Sequence, residues 1–137
     1  MRMLVLGAGL QGSACAYDLL AYTDHDVVLA DLNVDNLPAF LQPYLGGRLK
    51  AVRVDANDMA GCRRVMEGVA ATMSAFPYYF NQPMTAAALE AGSHFCDLGG
   101  NTDIVLQQKQ LAGVAERNGV SAVPDCGLAP GMVNILA

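Results

Sequence analysis

Arg2-Met3-Leu4-Val5-Leu6-Gly7-Ala8-Gly9-Leu10-Gln11-Gly12 joins a short apolar run to three glycines spaced GxGxxG, and a segment of helical spacing follows at once. A lone GxGxxG says little; a strand, then the glycine turn, then a helix is the context that gives it meaning. Each glycine then has a task. Gly7 permits the tight turn, Gly9 lets a pyrophosphate approach the backbone, and Gly12 lets the helix pack close to the strand. Leu10 and Gln11 open the helix, whose free N–H groups and partial positive charge face the phosphates. The stretch predicts a dinucleotide site. Its competitors are a tight turn that binds nothing and a methyltransferase-like site for S-adenosylmethionine.

Outward from this stretch, short apolar runs alternate with helix-period segments. The runs are 2–6, 26–30, 49–54, 69–74, 94–98 and 120–123. Each is too short for a buried helix and is bounded by Gly, Asp or Pro, so each reads as a strand. Helical spacing appears between them. Leu10, Ala14, Tyr17, Leu20 and Ala21 share a face of the first segment, and segments near 34–45, 58–67, 81–91 and 102–118 follow. Gly46-Gly47, Gly68, Gly92 and Gly119 stand where helices stop. Such alternation predicts an α/β, Rossmann-like, doubly wound parallel sheet of about six strands with helices on both faces. Ligands then bind at the carboxyl ends of the strands.

Asp31 ends the second run, 19 residues beyond Gly12. A carboxylate there accepts hydrogen bonds from both ribose hydroxyls and repels a 2′-phosphate. No Arg follows it immediately, so NAD is the expected cofactor, with NADP as the alternative. Asp55 ends the third run and reads either as an adenine neighbour or as a turn residue before the helix near Asp58. Ala75, Phe76 and Pro77 follow the fourth run, in the loop that passes the nicotinamide ribose. Phe76 either screens the ring or simply packs beneath the loop. Asp97, before Gly99-Gly100, and Asp125, before Cys126, lie on the ligand side of the fifth and sixth runs. Each also reads as a loop-capping carboxylate.

Composition narrows the partners. Net charge is −5 with no basic cluster, which argues against nucleic acid and anionic membrane. No apolar run approaches the roughly 18 residues of a membrane span. Cys15, Cys62, Cys96 and Cys126 show neither CxxC pairs nor zinc-type spacing, so no metal is expected and each reads as a small buried residue of a reducing cytoplasm. Charged residues are only 15% of the chain. Buried parallel strands explain that; so does apolar surface awaiting a partner domain or subunit. Residues 132–137 read as the first turns of a helix, so residues 1–137 are expected to form one dinucleotide-binding domain cut before a second.

Three motifs together carry a resemblance: the GAGLQG start at 7–12, SAFPYYFN at 74–81 with CDLGG at 96–100, and PDCGLAPGMVN at 124–134. Over the whole chain they look like the amino-terminal domain of the saccharopine dehydrogenase-like group, especially its lysine 6-dehydrogenase branch. The resemblance implies NAD(P)-dependent oxidation of an amino acid at a carbon bearing an amine. Hydride leaves for the nicotinamide, an imine forms, and water attacks it. It further implies that Asp97 or Asp125 orients an ammonium group or water. A second α+β domain would bind the small amino-acid substrate and help form a homodimer. The rival expectation is a non-catalytic dinucleotide sensor or interaction module, or a remnant that binds nothing.

Overall fold

A parallel sheet forms because each apolar run is closed by residues that cannot extend it. Its strands are β1 (Arg2–Leu6), β2 (Asp26–Asp31), β3 (Leu49–Arg53), β4 (Ala71–Ser74), β5 (His94–Asp97) and β6 (Ala122–Val123). The computed structural model describes every residue from Met1 to Ala137. All six strands pair in parallel in the order β3-β2-β1-β4-β5-β6. The order in which successive strands are laid down reverses between β1 and β4, and in such sheets ligands bind at the carboxyl edge of that switch point. No helix is long and apolar enough to cross a membrane.

Register assigns side chains to two layers. Ala51, Leu29, Val5, Met73, Cys96 and Val123 line up across the strands on one face. Over its first half lie α1 (Leu10–Tyr22) and a 3-10 helix (Ala39–Tyr44), which enclose Ala16, Leu20, Leu37 and Leu41 with Val5 and Leu29. On the opposite face, Leu4, Leu6 and Phe95 pack under α2 (Met59–Met66) and α3 (Asn81–Glu90) with Cys62, Met66, Met84 and Ala88. Helices α4 (Thr102–Lys109) and α5 (Ala112–Asn118) run beside α3, and α6 (Met132–Leu136) follows the last loop.

Four local expectations need correction. The inward face of α1 is Gly12, Ser13, Ala16 and Leu20; Leu10 is 92% exposed, and Ala14, Tyr17 and Ala21 are not buried. The glycine turn sets that phase, because Gly12 must face Gly7. The segment 34–45 is not an α-helix: Pro38 precedes and Pro43 interrupts a six-residue 3-10 helix, and proline withholds the N–H a longer helix needs. The segment 102–118 is two helices. Gln110 N and Leu111 N bond three residues back, to Gln107 O and Gln108 O, and this tightened turn separates the two helices. Thiols also differ from expectation, since Cys126 is exposed while only Cys62 is fully buried. Several stops hold: Gly46, Gly68, Gly92 and Gly119 all have φ between 64° and 75°.

The phase of α1 can be tested directly. Leu20→Ala should cost about 2–5 kcal/mol in denaturant unfolding, the range for emptying a closed core site. Leu10→Ala should stay within about 0.5 kcal/mol, as exposed substitutions do. Equal losses would refute the observed helix phase.

Candidate dinucleotide site

Between β1 and α1 the chain turns on Gly7, whose φ of +97° is costly for any residue with a Cβ. A Cβ on Gly12 would run into the Gly7 carbonyl oxygen, and one on Gly7 would lie 3.1 Å from Ala75 O. Gly9 is different, since nothing stands within 4 Å of a Cβ built there. Gly7 and Gly12 are therefore glycines for packing, and Gly9 borders open space at the helix start. As N-cap of α1, Gly9 supplies no side-chain cap, and no acidic residue occupies the first turn. First-turn N–H groups thus face outward without a protein acceptor on the cap, which suits an incoming anion.

Asp31 closes the loop from the side. Its Oδ2 accepts from Ala8 N at 2.6 Å and its Oδ1 from Asn33 N at 2.9 Å. The carboxylate is held at the rim of the glycine turn, with lone pairs left over for hydroxyl donors. A dinucleotide fits these residues: an open glycine edge for the pyrophosphate, uncapped N–H groups, and a fixed acceptor beside them. Ala75 packs against Gly12 and Gly7, and Phe76 lies against Gly7 and pairs with Phe80 at 6.0 Å between ring centroids. Phe76 also packs on the core beneath, the blander of its two expected roles. Pro77 is exposed and starts the 3-10 helix Tyr78–Phe80. Leu10 and Gln11 are exposed on the first turn of α1. Asp55 is exposed at the end of β3, and its Oδ1 accepts from Asn57 N, while Asp58 caps α2 by accepting from Gly61 N.

A second knot lies at the ends of β5 and β6. Asp97 is fully buried. Its Oδ1 accepts from Gly99 N at 2.7 Å and from Asp125 N at 3.2 Å, and its Oδ2 accepts from Gln108 Nε2 at 2.6 Å. Gln108 Nε2 also donates to Thr85 Oγ1 at 2.7 Å, and Thr85 donates to Asn81 O. One carboxylate thus ties two loops to α3 and α4. Backbone contact is intimate here: a Cβ on Gly99 would strike Asp125 Oδ1, and one on Gly127 would strike Leu98 O. Asp125 itself holds φ +62°, and its Oδ1 is buried without a hydrogen bond.

Between the two knots runs a cleft of 620 Å³ lined by Gln11, Cys15, Met73, Cys96, Asp97 and Cys126, among others. Burial pushes the Cys96 thiol up to about 11, with Cys126, Cys15 and Asp97 adding to the rise. Burial also raises Cys126, with Asp97 and Asp125 contributing. Sequence reasoning missed Gln108, Thr85 and Asn81. Asn81 and Thr85 stand four apart on the buried face of α3 among Met84, Ala87 and Ala88. That polar pair on an apolar face was the available signal.

Comparison with known proteins agrees with this geometry. Residues 3–123 match the model of the saccharopine dehydrogenase NADP binding domain. Apo saccharopine dehydrogenase (L-Glu forming) from Saccharomyces cerevisiae superposes with a TM-score of 0.80 at 22% identity, over 98% of this chain and 29% of that one. A probable dehydrogenase from Thermotoga maritima gives 0.63 at 18% identity, over 90% and 35%. A short-chain dehydrogenase/reductase from Veillonella parvula, solved with NADP, gives 0.65 at 11%, over 90% and 67%. At these identities the likenesses show the fold, and the chain spans less than a third of the yeast enzyme's length. An NAD(P)-binding Rossmann-like domain, this chain belongs to the saccharopine dehydrogenase NADP binding domain family.

Proposed function

We propose that the chain is the cofactor-holding part of an amino-acid dehydrogenase of the lysine 6-dehydrogenase kind, and that it prefers NAD(H). The carrying observation is Asp31 Oδ2 fixed on Ala8 N at 2.6 Å. A carboxylate locked there favours two ribose hydroxyls and disfavours a 2′-phosphate. Gly7, Gly9, Leu10, Gln11 and Gly12 would hold the pyrophosphate. Asp55 would lie by the adenine, and Ala75, Phe76 and Pro77 by the nicotinamide ribose. A nicotinamide held by these residues would supply the hydride acceptor for the amine-bearing carbon of the substrate. The protein's task is to fix that carbon about 3–3.5 Å away and to supply acid–base help for the attack of water on the imine.

Of the two carboxylates, Asp97 acts as a positioning residue, since both its oxygens are taken by loop and helix donors. Asp125 Oδ1 lies buried against Gly99 without a hydrogen bond; the proposed role of Asp125, orienting the substrate ammonium or water, therefore requires its carboxylate to turn outward. A second domain would supply the substrate pocket and the dimer contact, a reading supported by the yeast chain's greater length. The four free thiols suit a cytoplasmic setting.

Calorimetric titration with NAD(H) and NADP(H), repeated on Asp31→Ala, tests the cofactor reading. NAD(H) should bind more tightly, and the variant should lose most of that preference. Tighter NADP(H) binding by the unaltered chain would overturn it. For Asp97, alanine should destabilise by about 1–3 kcal/mol for each buried donor left unpaired. Asn should recover most of the loss, because its Oδ1 can serve Gly99 N and Asp125 N while its amide donates to a rotated Gln108. Equal losses in urea melts would remove the tie. Alkylation at neutral pH should mark exposed Cys126 first. Cys96, with its pKa raised to about 11, should gain thiolate and react only as pH climbs toward that value. Rapid loss of Cys96 at pH 7, read by mass spectrometry, would contradict its enclosure.

A further inference from the structure

At the adenosine end of the site a cation stands beside Asp31 yet does not pair with it. Strands β2 and β3 set Asp31 opposite Arg53, and partners across a parallel pair project from the same face of the sheet. That face is the α1 side, where Asp31 meets the glycine turn. Arg53 Nη2 instead bonds Asp35 Oδ2 at 2.9 Å. Two side-chain turns bring Asp35 there: Asn33 N donates to Asp31 Oδ1, and Asp35 N donates to Asn33 Oδ1 at 3.2 Å. The 31–35 loop therefore grips the glycine turn at one end and the guanidinium at the other.

We propose that Arg53 is a latent 2′-phosphate ligand, and that Asp35 withholds it while Asp31 closes the pocket. This rests on the reading of Asp31 as the ribose carboxylate. Charge at the rim argues for it. Asp31 and Asp35 outweigh Arg53 by one negative charge, so a phosphate meets net repulsion. Loss of Asp31 balances these three groups, and loss of both carboxylates leaves the guanidinium without its ion-pair partner. Arg53 is 62% exposed and its partner 71%, and ion pairs this exposed hold weakly. A planar guanidinium takes two phosphate oxygens at once and a phosphate carries more charge than a carboxylate. The Arg53–Asp35 pair is therefore a specificity determinant separate from Asp31, and the two act in sequence.

The test measures NADH and NADPH binding, by nucleotide fluorescence, to the 137-residue chain and to Asp31→Ser, Asp31→Ser/Asp35→Asn, and that double variant with Arg53→Gln added. Circular dichroism checks folding of each. Asp31→Ser should erode the NADH preference. Adding Asp35→Asn should tighten NADPH by about tenfold or more, a gain that fades with salt, while NADH shifts by less than about threefold. Arg53→Gln should abolish that gain. If Asp31→Ser shifts the NADH:NADPH ratio but Asp35→Asn and Arg53→Gln do not move NADPH, the inference fails and the ribose reading stands. If Asp31→Ser leaves the ratio unchanged, or a folded parent chain binds neither nucleotide, the ribose reading fails and the inference falls with it.

Discussion

Gly12 lies so near the carbonyl of Gly7 that no methyl group fits between them. This contact sets the rest of the adenosine half. It draws the start of α1 onto the end of β1, which turns Gly12, Ser13, Ala16 and Leu20 inward and leaves Gly9 at the open edge. Helix direction follows, and with it the uncapped N–H groups that point out of the turn. Ala8 N is brought within reach of Asp31 by the same geometry. A bulkier residue at position 12 would therefore disturb the core and the site together.

At the other end of the carboxyl edge, an ionisable group does the work that glycine does here. Burying a carboxylate is costly unless donors surround it. Asp97 has three, two from backbone and one from Gln108. The donors come from separate segments, so satisfying the charge requires the 97–101 loop, the 124–131 loop and α4 to converge. Glycines at 99 and 127 allow the backbones to touch once they do. The polar knot sits where β6 has only two residues in the ladder, and it supplements a strand too short to hold its loop by pairing alone.

Much of the fold could be read from local signals. Apolar runs between breakers marked all six strands, and GxGxxG with Asp31 marked the glycine turn and the carboxylate at its rim, because both depend on neighbours in sequence. Most of the departures have tertiary causes; that at 34–45 is local. Leu10, Ala14, Tyr17, Leu20 and Ala21 do form a helical stripe, but the Gly12 contact rotates the buried face away from most of it. Pro38 and Pro43 limit that segment to a short 3-10 helix despite the helical spacing around them. Gln108 looks like any solvated helix residue until Asp97, eleven positions earlier, is seen to need its amide. Asp97 and Asp125 were equivalent in sequence. Only their partners separate them, one saturated and the other with an unpaired oxygen.

The two halves of the α1-side face are finished to different degrees, and this bears on function. Over β1, β2 and β3 the row Val5, Leu29 and Ala51 is covered by α1 and the 3-10 helix. The same row continues through Met73, Cys96 and Val123, where Val123 is 54% exposed and a cleft opens between α1 and the last loop. A parallel sheet is stable with both faces covered, so this half carries apolar surface of the kind that binds something. The completed half is the one with the glycine turn and Asp31; the open half is the one with Asp97, Asp125 and the cysteines. On the proposed reading, the covered half would hold the adenosine end of a nucleotide and the open half would face the reacting end. That division separates the residues proposed for cofactor preference, at the glycine turn, from Asp97, Asp125 and the thiols at the other end of the carboxyl edge.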